Sequence, residues 1–216
     1  MISRAECLRV MLVDDHEVVR AGYRLLLENI ADIEVVAELA SGEEANSQVM
    51  TVKPDVIIMD LSMPGMGGLE AIRRIRAKQA DARILVFSMH DNIAFVQHAL
   101  DAGAMGYITK DSAADVLVTA VRAIAAGERY LDSGIAGHFS RYGAVDGLTP
   151  FDSLSKREFQ IFCRVAEGKS AGAIALELSL SIKTVANYQT RIKEKLGLSS
   201  TSELIRMALQ HGIIKM

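Results

Sequence analysis

Between residues 55 and 68 the chain reads Asp-Val-Ile-Ile-Met-Asp-Leu-Ser-Met-Pro-Gly-Met-Gly-Gly. The apolar run Val56–Met59 is too short for a buried helix and has no polar position. It therefore fits a strand covered on both faces, as in a parallel sheet whose crossovers lay helices over each side. The run stops at Asp60, and Pro64, Gly65, Gly67 and Gly68 then turn the backbone sharply toward a helix. In open α/β sheets ligands bind beyond the carboxyl ends of the strands, so Asp60 stands where chemistry is expected. Capping of the next helix is the plainer role for one such carboxylate. The other strand ends decide between the two.

The same unit recurs. Leu8–Val13 is an apolar run ending in Asp14-Asp15, followed by a helical pattern that puts Val18, Gly22, Leu25, Leu26 and Asn29 on one face. Ile33–Leu39 alternates as a strand, and Ser41 with Glu44 has the spacing of a capping box opening the next helix. After the Asp60 strand, Leu69, Ile72 and Ile75 mark a helix. Arg83–Ser88 and Ala104–Thr109 are two more strands, ending at Ser88 and Lys110, and each precedes a helix. Leu117, Val121 and Ile124 line the last helix, which Gly127 stops. Strand then helix, five times over, predicts a doubly wound, five-stranded parallel sheet with right-handed crossovers.

Collected on one rim, the strand ends offer Asp14, Asp15, Asp60, Ser88 and Lys110. Three carboxylates together repel and raise one another's pKa unless a cation sits among them. Oxygen ligands with room for water suit Mg²⁺ better than zinc or copper. A carboxylate beside Mg²⁺, a lysine and a hydroxyl make a phosphoryl acceptor: metal and ammonium neutralise the transferred group, and the hydroxyl bonds one of its oxygens.

Residues 8 to about 126 resemble the receiver domain of two-component response regulators. The resemblance is carried by Asp14-Asp15, Asp60 with Met63-Pro64-Gly65, Ser88, Tyr107 and Lys110. It implies a flavodoxin-like fold in which a sensor histidine kinase gives its phosphoryl group to Asp60. Asp14, Asp15, Asp60 and the carbonyl of Ser62 would hold Mg²⁺, and Lys110 would pair with the phosphate. Ser88 and Tyr107 would form the switch, the hydroxyl moving toward the phosphate as the ring turns inward. Two positions depart from the usual pattern. Asp111 follows Lys110 where many receivers have proline, which makes a cis peptide there costly. Gly67 occupies a place where an acidic or amide residue is frequent. Ser62 and His90 each lie two residues past a reacting residue, which places them to tune loss of the phosphoryl group to water.

Residues 128–152 sustain no period and mix Gly134, Gly137, Gly143, Gly147 and Pro150 with scattered apolar residues, as a linker does; Ser133–Tyr142 has the spacing of a short helix. Charge divides the chain near the same place. Residues 1–150 carry 14 Lys/Arg against 21 Asp/Glu, a balance of −7; residues 151–216 carry 10 against 6, a balance of +4, and the two sum to −3. A basic tail is where nucleic acid would bind. In it, Ser155/Glu158 and Ser200/Glu203 are capping boxes that open helices. Helix, Ser179-Leu-Ser181, helix is the spacing of a helix-turn-helix. On its second helix Val185, Gln189, Ile192 and Leu196 form one stripe, and Lys183, Asn187, Thr190, Arg191 and Glu194 lie opposite. Amides and hydroxyls there can read bases and the cations can hold phosphates, although the wet face of any helix has a similar composition.

Residues 154–213 resemble the C-terminal domain of NarL/FixJ (LuxR-type) regulators, through Leu154-Ser-Lys-Arg-Glu158, Val165-Ala-Glu-Gly-Lys-Ser170, Ile174-Ala175, Ser181–Tyr188 and Ile192–Gly197. The resemblance implies a small all-α, four-helix domain that binds double-stranded DNA as a dimer. Base contacts would come from Ala186, Asn187 and Thr190, and backbone contacts from Lys183, Thr184, Tyr188 and Arg191. The expected organisation is a receiver over 1–127, a linker over 128–152 and a DNA-binding domain over 153–216.

The sequence thus predicts a transcription regulator switched by phosphorylation of Asp60, dimeric when active and not a metabolic enzyme. Without a secretory leader or a bilayer-length apolar run it is expected in the cytoplasm. Cys7 and Cys163 lack metal-ligand spacing and read as buried or incidental thiols. The nearest alternative is a regulator that binds DNA whatever the state of Asp60. A Mg²⁺-dependent phosphohydrolase would need a second aspartate where Ser62 stands. A small-molecule-sensing LuxR-type protein would not need the acidic rim.

Overall fold

In the computed structural model, residues 7–136 and 150–214 are described. The chain divides into two compact units, Met1–Asp91 with Ala99–Ala136, and Asn92–His98 with Gly137–Met216. In chain order the elements are β1 (Leu8–Val13), α1 (Glu17–Glu28), β2 (Ile33–Leu39), α2 (Gly42–Val52), β3 (Val56–Met59), α3 (Gly67–Lys78), β4 (Ile84–Ser88), α4 (Ile93–Ala102), β5 (Gly106–Thr109), α5 (Ala114–Ala125) and β6 (Tyr130–Leu131). A 3₁₀ turn (Pro150–Ser153) precedes four helices, α6 (Lys156–Ala166), α7 (Ala171–Glu177), α8 (Ile182–Leu196) and α9 (Thr201–Gln210). No helix among the described residues is long and apolar enough to cross a membrane.

The sheet is parallel throughout, in the order β2-β1-β3-β4-β5-β6. Val10, Leu12, Val56, Ile58, Leu85, Phe87 and Ile108 pack with Leu27 of α1 and Leu117, Val121 and Ile124 of α5. The alternate residues Met11, Ile57, Met59, Ile84 and Val86 turn to the opposite face and are buried as well. Burial on both faces explains why these strands are almost wholly apolar, with Arg9, Ser88 and Thr109 the exceptions at or near their ends. After β1 the chain goes to β2 on one side and then to β3 on the other. Their carboxyl ends therefore flank the switch point of the topology, where such sheets bind ligands.

Two expectations are corrected here. The sheet has six strands instead of five: Tyr130 and Leu131, read from sequence as linker, pair with Gly106 and Tyr107. Two residues are too few to show a period, and the fit depends on Gly106, where an added Cβ would lie 2.7 Å from the Tyr130 carbonyl. The predicted face of α1 is also rotated, and of its apolar members only Leu26 packs inward. Val18 is 86% exposed and Leu25 65%, while Leu27 is buried and Tyr23, Leu26 and Ile30 pack against the core. Both arcs have helical spacing. Tyr23 selects the second, its ring edge-on to Phe87 at 4.5 Å between centroids. The Ser133–Tyr142 helix is seen only in part, since Ser133–Ala136 is helical and the rest lies outside the described residues.

In the second unit, the rings of Phe151, Phe159 and Phe162 meet in the core at centroid distances of 4.9–6.2 Å. Ser155 and Glu158 form a complete capping box. Ser41 and Ser200 cap α2 and α9, but Glu44 and Glu203 reach one residue further back, to the amides of Ala40 and Ser199. Arg164 Nε lies 2.7 Å from Glu177 Oε1 but off the hydrogen-bonding angle, so that link between α6 and α7 is coulombic.

Candidate functional site

The loop after β3 is set by glycine. A Cβ on Gly68 would fall 2.1 Å from the carbonyl oxygen of Asp60, so α3 begins as close to that strand end as backbone allows. Gly67 has φ +68°, a left-handed conformation that glycine, asparagine and aspartate adopt most easily. That accounts for the departure noted at this position. Asp60 is held from two sides. Its Oδ1 accepts the amides of Leu61 and Ser62 at 2.7 and 3.3 Å, and its Oδ2 accepts Lys110 Nζ at 2.9 Å. The carboxylate is 3% exposed.

From β1, Asp14 Oδ2 accepts the same ammonium at 2.6 Å, and its Oδ1 accepts the backbone amide of His16 at 2.9 Å. Burial alone would lower the pKa of Lys110. The charge of Asp60 and the bonds to Asp14 and Asp60 outweigh it, and the pKa rises. Burial also pushes Asp15 up, helped by Asp60 and Asp14 and opposed by His16. Asp14, Asp15, His16 and Asp60 each present a ligand atom within 4.8 Å of the others. Three carboxylates against one ammonium leave two negative charges uncompensated, which matches a divalent cation. Asp15 Oδ1 is buried without a hydrogen-bond partner, as an oxygen meant for a cation would be. The donor set therefore fits Mg²⁺.

The remaining residues expected at the rim line its far side. Ser88 is fully buried, and its Oγ accepts the amide of His90 at 3.3 Å. Tyr107 is fully buried too, its ring already turned inward and its hydroxyl donating to the His90 carbonyl at 2.7 Å. Burial drives the Tyr107 pKa up strongly. Ser62 Oγ lies 2.9 Å from His90 Nε2, so these two side chains meet across the rim. The Lys110–Asp111 peptide is trans, like every other peptide among the described residues.

Sequence reasoning missed three neighbours. Arg20 donates to the Asp14 carbonyl at 2.6 Å. With Tyr23 it lines a cavity of about 10 Å³ beneath Asp14 and Asp60. His16 turns its ring back to the carboxylates. The available signal was position: His16 adjoins the aspartate pair, and Arg20 follows one helical turn later.

The second surface is α8. Ser179 takes φ +52° in the turn before it, and Ser181 Oγ caps the helix by accepting the Thr184 amide at 3.0 Å. Val185 and Ile192 are fully buried, and Gln189 and Leu196 half-buried. Lys183, Ala186, Asn187, Thr190, Arg191 and Glu194 are exposed, with Thr184 and Tyr188 half-buried at the edge. The Thr190 hydroxyl donates to the Ala186 carbonyl at 3.1 Å, which leaves its lone pairs outward. Lys195 Nζ reaches Glu158 Oε2 at 2.6 Å and ties α8 to α6 away from that face.

The family described as response regulator receiver domain matches residues 10–122, and that described as bacterial regulatory proteins, luxR family, matches residues 152–208. Response regulator UvrY of Escherichia coli K12 is 41% identical over 208 residues, 95% of each chain. Response regulator GacA of Pseudomonas aeruginosa is 38% identical over 209 residues, 96% of this chain and 98% of its own. Among solved structures, a LuxR-family two-component response regulator from Aurantimonas sp. SI85-9A1 is 45% identical, covers 64% of this chain and 99% of its own, and has a TM-score of 0.62. RcsB from Salmonella enterica serovar Typhimurium, bound to promoter rprA in the presence of phosphomimetic BeF₃⁻, is 28% identical over 93% of this chain and 98% of its own, with a TM-score of 0.70.

Proposed function

Because this chain belongs to the response regulators that join a receiver domain to a LuxR-type DNA-binding domain, we propose that Asp60 is the phosphoacceptor and α8 the DNA-reading helix. The observation that carries this is the setting of Asp60, a buried carboxylate with Lys110 Nζ at 2.9 Å and two further carboxylates beside it. An Asp60 oxygen attacks the phosphorus of the donor, the new P–O bond forms, and the donor's own P–N or P–O bond breaks with its electron pair. Lys110 then pairs with a phosphoryl oxygen, and the buried Ser88 hydroxyl can turn to donate to another. Asp14, Asp15, Asp60 and the Ser62 carbonyl would hold Mg²⁺, whose charge offsets that of the phosphoryl group. The phosphoryl donor is a histidine kinase. The chain promotes its own modification and turns over no metabolite.

The reaction replaces a buried hydrogen-bonded carboxylate by a group of greater charge, which Ser88, His90 and Tyr107 must accommodate together. Two copies of α8 would enter successive major grooves, with Asn187, Thr190 and Ala186 toward base edges and Lys183, Thr184, Tyr188 and Arg191 toward phosphates. A related regulator, RcsB, is solved both on promoter DNA and as dimers on DNA. A protein with these partners works where the chromosome is, in the bacterial cytoplasm. Domain limits near 127 and 153 complete the reading.

The test is intact mass after incubation with acetyl phosphate, with and without Mg²⁺, on the wild type and Asp60→Ala. One phosphoryl adduct that needs Mg²⁺ and disappears in the variant is expected, together with tighter promoter binding by the phosphorylated chain. Equal DNA affinity with and without the adduct would make it a regulator that ignores phosphate. An adduct surviving in Asp60→Ala would refute the acceptor assignment.

A further inference from the structure

Of the four rim side chains that each present a metal-ligand atom, three are carboxylates and the fourth is an imidazole. His16 stands at the N-terminal cap position of α1, yet its side chain makes no capping bond. The ring points the other way, placing Nδ1 at 3.1 Å from Asp15 Oδ1 and 3.3 Å from Asp14 Oδ1. Neither approach is a hydrogen bond. Asp15 Oδ1 has no hydrogen-bond partner, and Asp14 Oδ1 already accepts the His16 backbone amide. Donor atoms at these separations that do not bond one another are close enough to share one ion. Two ligands about 2.1–2.2 Å from one ion and at right angles to each other stand about 3.0 Å apart. The two His16 distances are close to that spacing.

We infer that His16 is a fourth donor of the cation rim. It gives a site otherwise made of oxygen an affinity for a borderline first-row divalent ion, such as Co²⁺ or Ni²⁺, beside its affinity for Mg²⁺. The chemical ground is ligand type: carboxylate, carbonyl and water satisfy Mg²⁺, whereas an imidazole nitrogen contributes most to cobalt, nickel, copper and zinc. His16 thereby sets which ions the rim accepts. The inference rests on the reading of Asp14, Asp15 and Asp60 as the divalent-cation site, and its test separates the two.

Full-length wild type and His16→Ala are titrated with Mg²⁺ and, separately, with Co²⁺ by calorimetry at about pH 8, where imidazole is ordinarily neutral. The substitution is well tolerated by the fold, because the side chain is 62% exposed and caps nothing, and an unchanged melting temperature checks this. The expected result is at least a tenfold loss of Co²⁺ affinity in His16→Ala, with Mg²⁺ affinity changed by less than about threefold. A low-field, hyperfine-shifted imidazole proton in the Co²⁺ form of the wild type, missing from the variant, would mark direct ligation among the five histidines of the chain. Equal Co²⁺ affinity in the two proteins overturns the inference. So does an equal gain for both ions, which would mean that an imidazolium merely pairs with the carboxylates. Failure of the wild type to bind Mg²⁺ at all would overturn the cation-site reading as well.

Discussion

Lys110→Met keeps an unbranched side chain only one atom shorter and removes its charge. In the native rim the ammonium is 6% exposed and lies 2.6 Å from Asp14 Oδ2 and 2.9 Å from Asp60 Oδ2. At an effective dielectric constant of about 20, each contact amounts to about 6 kcal/mol of coulombic attraction. Desolvation of the three charged groups cancels much of this in the intact protein. The substitution still leaves two nearly buried carboxylates without their cation, and breaking such a pair costs about 3–5 kcal/mol. For a unit of this size that lowers the melting temperature by about 10–20 °C. The assay is calorimetry of the full chain in EDTA, following the receiver transition, with Mg²⁺ then added to recover part of the loss by mass action. The deficit depends on pH. Asp15, whose folded pKa is raised, contributes stability below its ordinary value that is lost as pH rises through the folded value. Without the ammonium, the repulsion among the carboxylates is greatest at pH 7 and is relieved by protonation. The deficit of Lys110→Met should therefore shrink from pH 7 to pH 5. A fall below about 3 °C, indifferent to both Mg²⁺ and pH, would refute the assignment of Lys110 as the counter-charge of the rim.

Gly68→Ala puts a methyl group 2.1 Å from the Asp60 carbonyl; overpacking of about 1–3 kcal/mol and loss of phosphorylation are expected, and intact mass with acetyl phosphate checks the latter. His90→Ala removes the Ser62–His90 contact across the rim. It should shorten the life of the phosphorylated protein by at least about threefold by admitting water, and an unchanged decay rate would discard that role. Lys183→Ala should weaken binding to every DNA tested and lower the salt slope by about 1, while Asn187→Ala costs about 1–3 kcal/mol on the preferred site alone; anisotropy at several salt concentrations distinguishes them. Glu158→Gln loses a buried charge that accepts both the Ser155 amide at 2.7 Å and Lys195 at 2.6 Å. It should cost the second unit about 1–2 kcal/mol in urea unfolding.

What the sequence could carry was periodicity and punctuation. The strands at Val56, Ile84 and Leu8 were legible because burial on both faces leaves almost only apolar residues, and the turns because glycine and proline punctuate them. Edges and rotations were less legible. Two residues at Tyr130 make no pattern, and their strand exists because Gly106 lets a backbone approach. The face of α1 was ambiguous because two arcs of the helix are apolar. Only the third dimension shows that Phe87 faces Tyr23, leaving Val18 and Leu25 in water.

At the rim the difference between list and geometry has a chemical consequence. The chain order names Asp14, Asp15, Asp60, Ser88 and Lys110, and these five residues already restrict the chemistry to a hard cation and a phosphoryl group. Chain order does not say that Lys110 bridges Asp14 and Asp60 instead of facing the solvent, nor that Asp15 keeps an oxygen with no donor. Those two facts turn a set of acids into a site with a charge deficit of two and a direction. Lys110 satisfies Asp60 Oδ2 before any ligand arrives, while Asp15 and His16 each present a ligand atom within 4.8 Å of Asp60. On the proposed reading, a phosphoryl group on Asp60 would be offset by Lys110 and by a cation held by Asp14, Asp15 and Asp60, so the added negative charge would be received by groups already in position. Lys110, bonded to two carboxylates, must loosen its grip on Asp14 or Asp60 to hold that phosphate. That exchange of partners, buried beside Ser88 and Tyr107, would be the step by which chemistry at one atom becomes a change in packing.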